Sequence, residues 1–476
     1  MNIEDAQLPL TELRQEMGGK WRVFLKELRK VSYVAAPMVA VMVMQYLIQV
    51  VSVMMVGHVD QLSLSGFGLV GALETLCGQA YGAEQYQKLG IYTYTSILCL
   101  CLVCIPISLL RIFTDKILQL IGQDPLISNV AHKYSLCLIP NLFSIAILQS
   151  LVRYFQTQSL ILPMLYSSCA ALCLHVPLCW GLTFKLKLGS IGAALAISFS
   201  HWFNALLLGF YMKYSVACGK TRALVLSIEV FLNIKEFFRF AVPSALMACL
   251  EWWSYEVLIL LSGILSNPKL ETSVLSICFT ITYLHYFIPF AFGATASTRV
   301  SNELGAGNPQ AAKVTVCAVM VLAMVEMIVV STALFSYRHI LGYAFSSDKE
   351  IVERIADMAP LISLSIVTDG LQAELGTHQA EMYKKCTKGS RAEKGSWLIV
   401  MQVGLLNLID GPRRLISSLP NRPLIAEGLW IGLLTGSAVQ ALLLALKTSL
   451  TNWEKQASIA RERITNEVLA RVEPVG

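Results

Sequence analysis

Charge is scarce in this chain. Of its 476 residues only 14% are Asp, Glu, Lys or Arg, against about 25% in an average soluble domain. Hydrophobic residues make up 55%, and the mean hydropathy is +0.60. The composition is that of an integral membrane protein. No G-x-x-x-x-G-K-[ST] loop occurs, which excludes ATP-driven pumping of the P-loop kind. No N-x-[ST] sequon occurs either, in keeping with short outer loops. The first thirty residues lack an apolar h-region, so no cleaved signal peptide is expected and the first span acts as its own signal. The net charge of +6 is small, and the basic residues lie between apolar runs rather than in one patch, which excludes nucleic-acid binding. Thirteen cysteines are present, yet Cys101 and Cys104 form a C-x-x-C pair with no second pair or His cluster beside it. A zinc site is therefore not expected, and the cysteines read as small apolar residues. No nucleophile, base and oxyanion set emerges, so neither an enzyme nor a cofactor is expected.

What the chain has in abundance is long apolar segments, at about 31–56, 89–110, 131–152, 161–184, 191–211, 240–265, 273–293, 314–335, 351–371 and 429–450. Lipid offers no water to backbone groups, so these read as helices and the fold class as all-α and polytopic. A polar linker at 213–236 divides the chain. The halves repeat, as they do in many secondary transporters. Pro37 and Gly57 match Pro243 and Gly263 at an offset of 206, and Thr75, Gln79 and Gly82 match Thr298, Asn302 and Gly305 at 223. Leu148 and Gln149 keep the second offset with Leu371 and Gln372. Two lobes of six helices in the same order follow, at 31–212 and 237–451, with a tail at 1–30 and another at 452–476.

Where the offset changes, the first half is short by 17 residues, between Gly57 and Gly82. That interval reads SGFGLVGALETLCGQAYGA from Ser65, and Gly66, Gly68 and Gly71 spell G-x-G-x-x-G. A dinucleotide loop needs a strand before it, and none is patterned here. The segment instead reads as a second helix cut short, with about twelve apolar residues where roughly 17 are needed to span. A second break lies at 373–427, where AEMYKKCTKGSRAEKGS from Ala380 is too cationic to cross a bilayer at about 2.5–3.5 kcal/mol per charge. The eleventh helix is thus expected to be disrupted. Lys20, Arg22, Lys26, Arg29 and Lys30 before the first span, and Lys213, Lys220, Arg222 and Lys235 in the linker, place both on the cytosolic side.

Ionisable groups within spans are functional candidates because they are costly there. Glu251 and Glu256 lie in LEWWSYEVL of the seventh helix, Glu326 in the ninth and Asp369 near the end of the tenth. Five residues separate Glu251 from Glu256, about 140° around a helix, so only one of them faces a given cavity. A carboxylate buried there takes up a proton and releases it when an organic cation replaces it. Glu251, Glu256 and Asp369 are the expected proton-coupling residues, while for Glu326 a packing role is favoured. Gln45 matches Glu251 at the offset of 206, which confines the acidic chemistry to the second lobe. Gln45, Gln49, Trp252, Tyr255 and Tyr283 are expected to line a substrate cavity, the aromatics by stacking and cation–π contact. Trp253 and Tyr286 belong to the same aromatic set. The loops holding Gln79, Lys88, Arg299, Asn302 and Glu303 are expected to cap helix ends on the cytosolic face.

With MVGH at Met55, ALETLCGQAYGA at Ala72, CLEWWSYE at Cys249, STRVSNELGAGNP at Ser297 and TDGLQ at Thr368, the chain closely resembles the plant branch of the multidrug and toxic compound extrusion (MATE) transporters. The resemblance implies two six-helix lobes around a central cavity of alternating access. It implies export of organic cations, alkaloids, flavonoids or organic acids in exchange for protons or sodium, by a monomer in the vacuolar or plasma membrane with both termini in the cytosol. The family's acidic residues of helices seven and ten map onto Glu251, with Glu256 a second candidate, and onto Asp369. Readings of other classes are a non-transporting isoform lacking two helices and a lipid or oligosaccharide flippase on a related fold.

Overall fold

A computed structural model describes residues 8–56, 65–120, 125–222, 228–239, 268–383 and 425–450, with positions 241, 242, 244–246, 249, 452–455 and 458. Among the described residues the regular structure is helical throughout. The first lobe comprises α1 (Leu8–Val56), α2 (Ser65–Gly82), α3 (Tyr86–Ile112), α4 (Thr114–Leu120), α5 (Pro125–Cys137), α6 (Ile139–Thr157), α7 (Ile161–Trp180) and α8 (Ser190–Tyr214). A short α9 (Ile228–Leu232) follows in the linker. The second lobe contains α10 (Pro268–Gly305), α11 (Pro309–Ser336), α12 (Lys349–Tyr383) and α13 (Ile425–Ser449).

Six of these helices are long and apolar enough to cross a membrane among the described residues, and α2 is not one of them. Its 18 described residues cover about 27 Å at 1.5 Å per residue. Exposed apolar side chains on the spanning helices, such as Leu102, Ile105 and Leu109 of α3 and Val325, Ile328 and Val329 of α11, suit contact with lipid. Breaks occur where the sequence forces them. Pro140 at the start of α6 divides α5 from α6 with a bend of 43°. Gly307, at φ +79°, turns the chain between α10 and α11, a conformation that glycine adopts without strain.

Several boundaries differ from the sequence expectation. The tail continues the first helix back to Leu8, and the tenth helix runs on to Tyr383, so Asp369 sits in its interior. The segments expected as loops, TLCGQAYGA and TRVSNELGA, are helical as far as Gly82 and Gly305. Apolar periodicity weakens there because these helix faces pack on one another rather than on lipid.

Each lobe has its own core. In the first, Met38, Leu73, Leu89, Tyr154, Phe155 and Met164 pack together, and in the second Leu275, Cys278, Ile355, Met358, Ile362 and Trp430 do so. Some polar groups inside the first lobe are paired across helices, as a lipid environment favours. His175 on α7 lies 3.1 Å from Ser52 Oγ and 2.9 Å from Ser200 Oγ, tying α1, α7 and α8, and His201 lies 2.7 Å from Asn141 Oδ1. In the second lobe Arg354 of α12 donates to Glu271 of α10 and Glu427 of α13, each at 3.2 Å.

Candidate functional site

The two lobes meet where the matched segments of the repeat touch. Ser297 Oγ of α10 donates to Glu74 Oε2 of α2 at 3.0 Å. Gly78 lies against Ser301, and Gly82 lies so close to the backbone of Asn302 that an added Cβ would overlap its carbonyl. Reciprocally, a Cβ on Gly305 would come within 2.5 Å of Gln79 O. Glu74 and Ser297, Gly78 and Ser301, Gln79 and Asn302, and Gly82 and Gly305 are all pairs at the repeat offset of 223. Residues on the axis meet their own equivalents, and those off it meet in exchanged pairs, as in a two-fold dimer interface. Only glycine allows so close an approach of two backbones.

Polar groups lock this seam. Arg153 of α6, 3% exposed at its side chain, pairs with Glu74. It also donates to Gln156 Oε1 at 2.7 Å and lies 5.8 Å from the Phe290 ring centroid. Gln156 in turn reaches across to the second lobe, donating to Ala294 O at 2.8 Å and to Thr298 Oγ1 at 2.9 Å. Asn302 Nδ2 donates to Thr157 O at 3.2 Å. Glu27 of α1 accepts from Arg299 Nε at 2.7 Å and from Thr315 Oγ1 at 3.0 Å, so the helical tail is bound to the second lobe at the same end. Gln79, Arg299 and Asn302 are therefore parts of a contact between lobes as well as helix-end residues, while Glu303 pairs with Arg299 one turn away on α10.

Farther along α1 the lobes face each other through aromatic rings. Tyr46 meets Phe287 at 4.5 Å between centroids and Tyr283 at 5.2 Å, edge-on, and Phe279 stacks on Tyr283. Tyr286 stacks on Phe290. Gln45, beside Tyr46, has a buried amide nitrogen without a hydrogen-bond partner among the described residues, and Gln49 lies one turn on from it, half-buried. Of the expected cavity residues, Tyr283 lies in this contact between lobes, while Gln45 and Gln49 lie on α1 within one turn of Tyr46. Asp369 is half-buried within α12 and engaged in an interaction of its own. Glu326 is hydrogen-bonded to His285, Oε1 to Nε2 3.0 Å. Glu251, Trp252, Trp253, Tyr255 and Glu256 lie outside the described residues. No group of three or more His, Cys, Asp or Glu able to hold a metal is found among the described residues.

Sequence reasoning passed over Glu27, Tyr46, Glu74, Arg153, Gln156 and Glu374. Two of them carried a signal. Glu74 is an anion ending an apolar run, and Arg153 is a lone cation between apolar helix residues; charges so placed need a partner inside the protein.

Comparison with known proteins agrees with this architecture. The MatE family model matches residues 66–181 and 243–377. Among curated proteins, Protein DETOXIFICATION 14 of Arabidopsis thaliana is 49% identical over 98% of this chain and 97% of its own length. Protein DETOXIFICATION 10 of the same plant is 48% identical over 93% and 91%. The former match runs over 484 aligned positions, more than the 476 residues of this chain, so that relative carries residues with no counterpart here. The crystal structure of the eukaryotic MATE transporter AtDTX14 superposes with a TM-score of 0.83 at 48% identity, covering 93% of this chain and all of the other. An outward-facing multidrug resistance MATE transporter, only 14% identical, shares the fold with a TM-score of 0.75 over 92% of this chain and 97% of its own. By both the family model and the extent of identity, this chain belongs to the MATE family of membrane transporters.

Proposed function

We propose that the chain is a proton-coupled antiporter that exports organic cations or related plant metabolites and xenobiotics. The observation that carries the reading is the interface of Tyr46, Tyr283 and Phe287 beside the unpartnered amide of Gln45, at the junction of the two lobes. Aromatic faces bind flat cations, and a buried amide without a partner is a group prepared for a ligand. Relatives named for detoxification and for multidrug resistance support the same substrate class. The positive residues of the tail and linker favour cytosolic termini. The seam around Gly78 lies at the end where the helical tail meets Arg299, so in this reading the described state is closed toward the cytosol. One chain supplies both lobes, so the alternating unit is a monomer, in the vacuolar or the plasma membrane.

Release of the exported cation follows protonation of Glu251 or Asp369 from the far side, which removes the charge that held it. In proteoliposomes free of sodium, uptake of the fluorescent cation ethidium is expected to require a pH gradient and to fail in Glu251→Gln and in Asp369→Asn. Uphill uptake that persists in both variants would overturn the assignment of these carboxylates. A second reading, a non-transporting isoform, is favoured by the 17-residue shortfall of the first half between Gly57 and Gly82 and by the relative's additional residues. Restoring those residues separates the two, since equal uptake by both forms excludes the isoform.

A further inference from the structure

The second lobe gathers three ionisable side chains that the exchange mechanism above does not use. His285 of α10 and Glu326 of α11 are in contact, with side chains 8% and 13% exposed. Glu374 of α12 is 0% exposed. Both its carboxyl oxygens, and Glu326 Oε2, are buried without a hydrogen-bond partner among the described residues. Register explains the meeting. Gly370, one turn before Glu374, packs against Met327, the residue after Glu326, with Met327 Cγ only 3.0 Å from where a Cβ would stand. The two carboxyl groups are close enough to act on each other electrostatically. Around them the packing of Ile288, Phe292, Ala323, Met327, Val367 and Leu371 is apolar.

No described Lys or Arg side chain is paired with Glu326 or Glu374. Arg354, near the start of α12, is held by Glu271 and Glu427, about 30 Å along the helix from Glu374. Glu353 and Asp357 are exposed near that same end. Arg299 and Glu303 lie toward the other end of α10, where Arg299 is committed to Glu27. Lys313 belongs to the first turns of α11, and Glu427 opens α13. Asp369 projects about 140° around α12 from Glu374 and has an interaction of its own. Two buried carboxyl groups thus lie near each other, and one of them, Glu326, contacts the imidazole of His285.

Ionising both carboxyls would leave charge buried without compensation, at a cost of several kcal/mol. One proton removes that cost and supplies the O–H donor that the unpartnered oxygens lack. We propose that His285, Glu326 and Glu374 form a second proton-binding site, separate from Glu251 and Asp369, within the second lobe. Its place in transport rests on the proton-exchange reading, whereas its capacity to hold a proton does not. The three groups titrate as one unit, so removing any member shifts the steps of the others.

The test uses the full-length chain in lipid nanodiscs, with infrared difference spectra of the protonated carboxyl C=O stretch recorded across pH. Wild type is expected to show a buried carboxyl band that Glu374→Gln loses, while Glu326→Gln and His285→Gln move its midpoint by about one pH unit or more. Unchanged bands and midpoints in all three variants would overturn the site, and so would a band that responds to sodium rather than to pH. If Glu374→Gln is not recovered folded, the other two variants decide by the same criterion. Ethidium uptake with simultaneous proton counting forms the second arm, where Glu374→Gln is expected to move fewer protons per ethidium than wild type. Wild-type uptake indifferent to pH, with the spectra as expected, would sink the exchange reading and leave the proton site standing.

Discussion

Substituting Gly82 by alanine should part the two lobes at their seam. The new Cβ would stand 2.7 Å from the carbonyl carbon of Asn302 and 2.8 Å from its Cα, with the carbonyl oxygen closer still. Carbon atoms rest at about 3.5–4.0 Å, so the backbones must separate by roughly 1 Å. Neither side can yield by a rotamer change, because both are main chain. A shift of that size carries the bonds from Gln156 to Ala294 O and Thr298, from Asn302 to Thr157 O and from Ser297 to Glu74 to the limit of hydrogen-bond geometry or beyond it. Each is worth about 0.5–1.5 kcal/mol net, and partial relaxation leaves a loss of about 3 kcal/mol for the four. Amide hydrogen exchange in the last turns of α2 and α10 reports local opening directly. Exchange there should quicken by roughly two orders of magnitude at 1.36 kcal/mol per decade. Gly305→Ala should act alike, because its Cβ meets Gln79 in the exchanged contact. Gly209→Ala has open space around the new methyl and should leave the seam unchanged. Wild-type exchange in both seam variants would refute the argument.

Other perturbations follow from the same geometry. Glu74→Gln strips the buried Arg153 of its anion; of the 3–5 kcal/mol such a loss can cost, Gln156 and the Phe290 ring recover part, so a fall in melting temperature with faster seam exchange is expected. Tyr46→Ala removes two ring contacts worth about 0.5–1.5 kcal/mol each beyond their area, so ethidium KM should rise several-fold with kcat little changed, and an unaltered KM would remove Tyr46 from the substrate face. Arg354→Met leaves Glu271 and Glu427 facing each other without a cation; because the arginine is 23% exposed at its side chain, solvent screening limits the loss to about 1–3 kcal/mol, read as a lower melting temperature.

The lobes were legible in the sequence because apolar length and repeated motifs survive without tertiary information. Pro37 with Pro243, and Gln79 with Asn302, sufficed to pair the halves. The seam was harder to read. Helix faces at Gly78 and Gly82 bury small residues against small residues, which looks like loop composition when hydropathy alone is followed. Local pattern therefore suggested loops where helices cross. The pairing of Glu74 with Arg153 spans 79 residues, and no periodicity within one helix could announce it. Glu374 was passed over because it follows the apparent end of the tenth span, whereas α12 continues to Tyr383 and keeps it inside the protein. Gln45 drew attention by its match to Glu251 at the offset of 206, and Tyr283 because an aromatic residue in an apolar run stands out within one helix.

The repeat also separates what the two halves share from what they do not. At the seam, equivalent positions touch one another, so both halves contribute the same small residues and the closing contact is nearly symmetric. The ionisable chemistry has no such symmetry. At the offset of 223, Glu374 corresponds to Leu151 and Glu326 to Val103, while at 206 Glu251 corresponds to Gln45. Leu151 is itself buried in the first lobe's core, so a carboxyl group there would have to be bought with a partner that the first lobe lacks. In the proposed antiport, a symmetric seam lets the lobes open on either side of one axis at similar cost, and the acids proposed to bind protons lie in the second lobe alone. Moving the acid should therefore be damaging: Leu151→Glu is expected to destabilise the first lobe by several kcal/mol, the cost of an unpaired buried charge or of protonating it. Its melting temperature, measured beside that of Glu374→Leu, checks the asymmetry. The first variant should melt lower than wild type and the second should not, since Leu there fills an apolar surround and relieves an unpartnered group. Melting of Leu151→Glu at the wild-type temperature would mean that the first lobe tolerates a buried acid, and that confinement of the acids to the second lobe has no basis in packing.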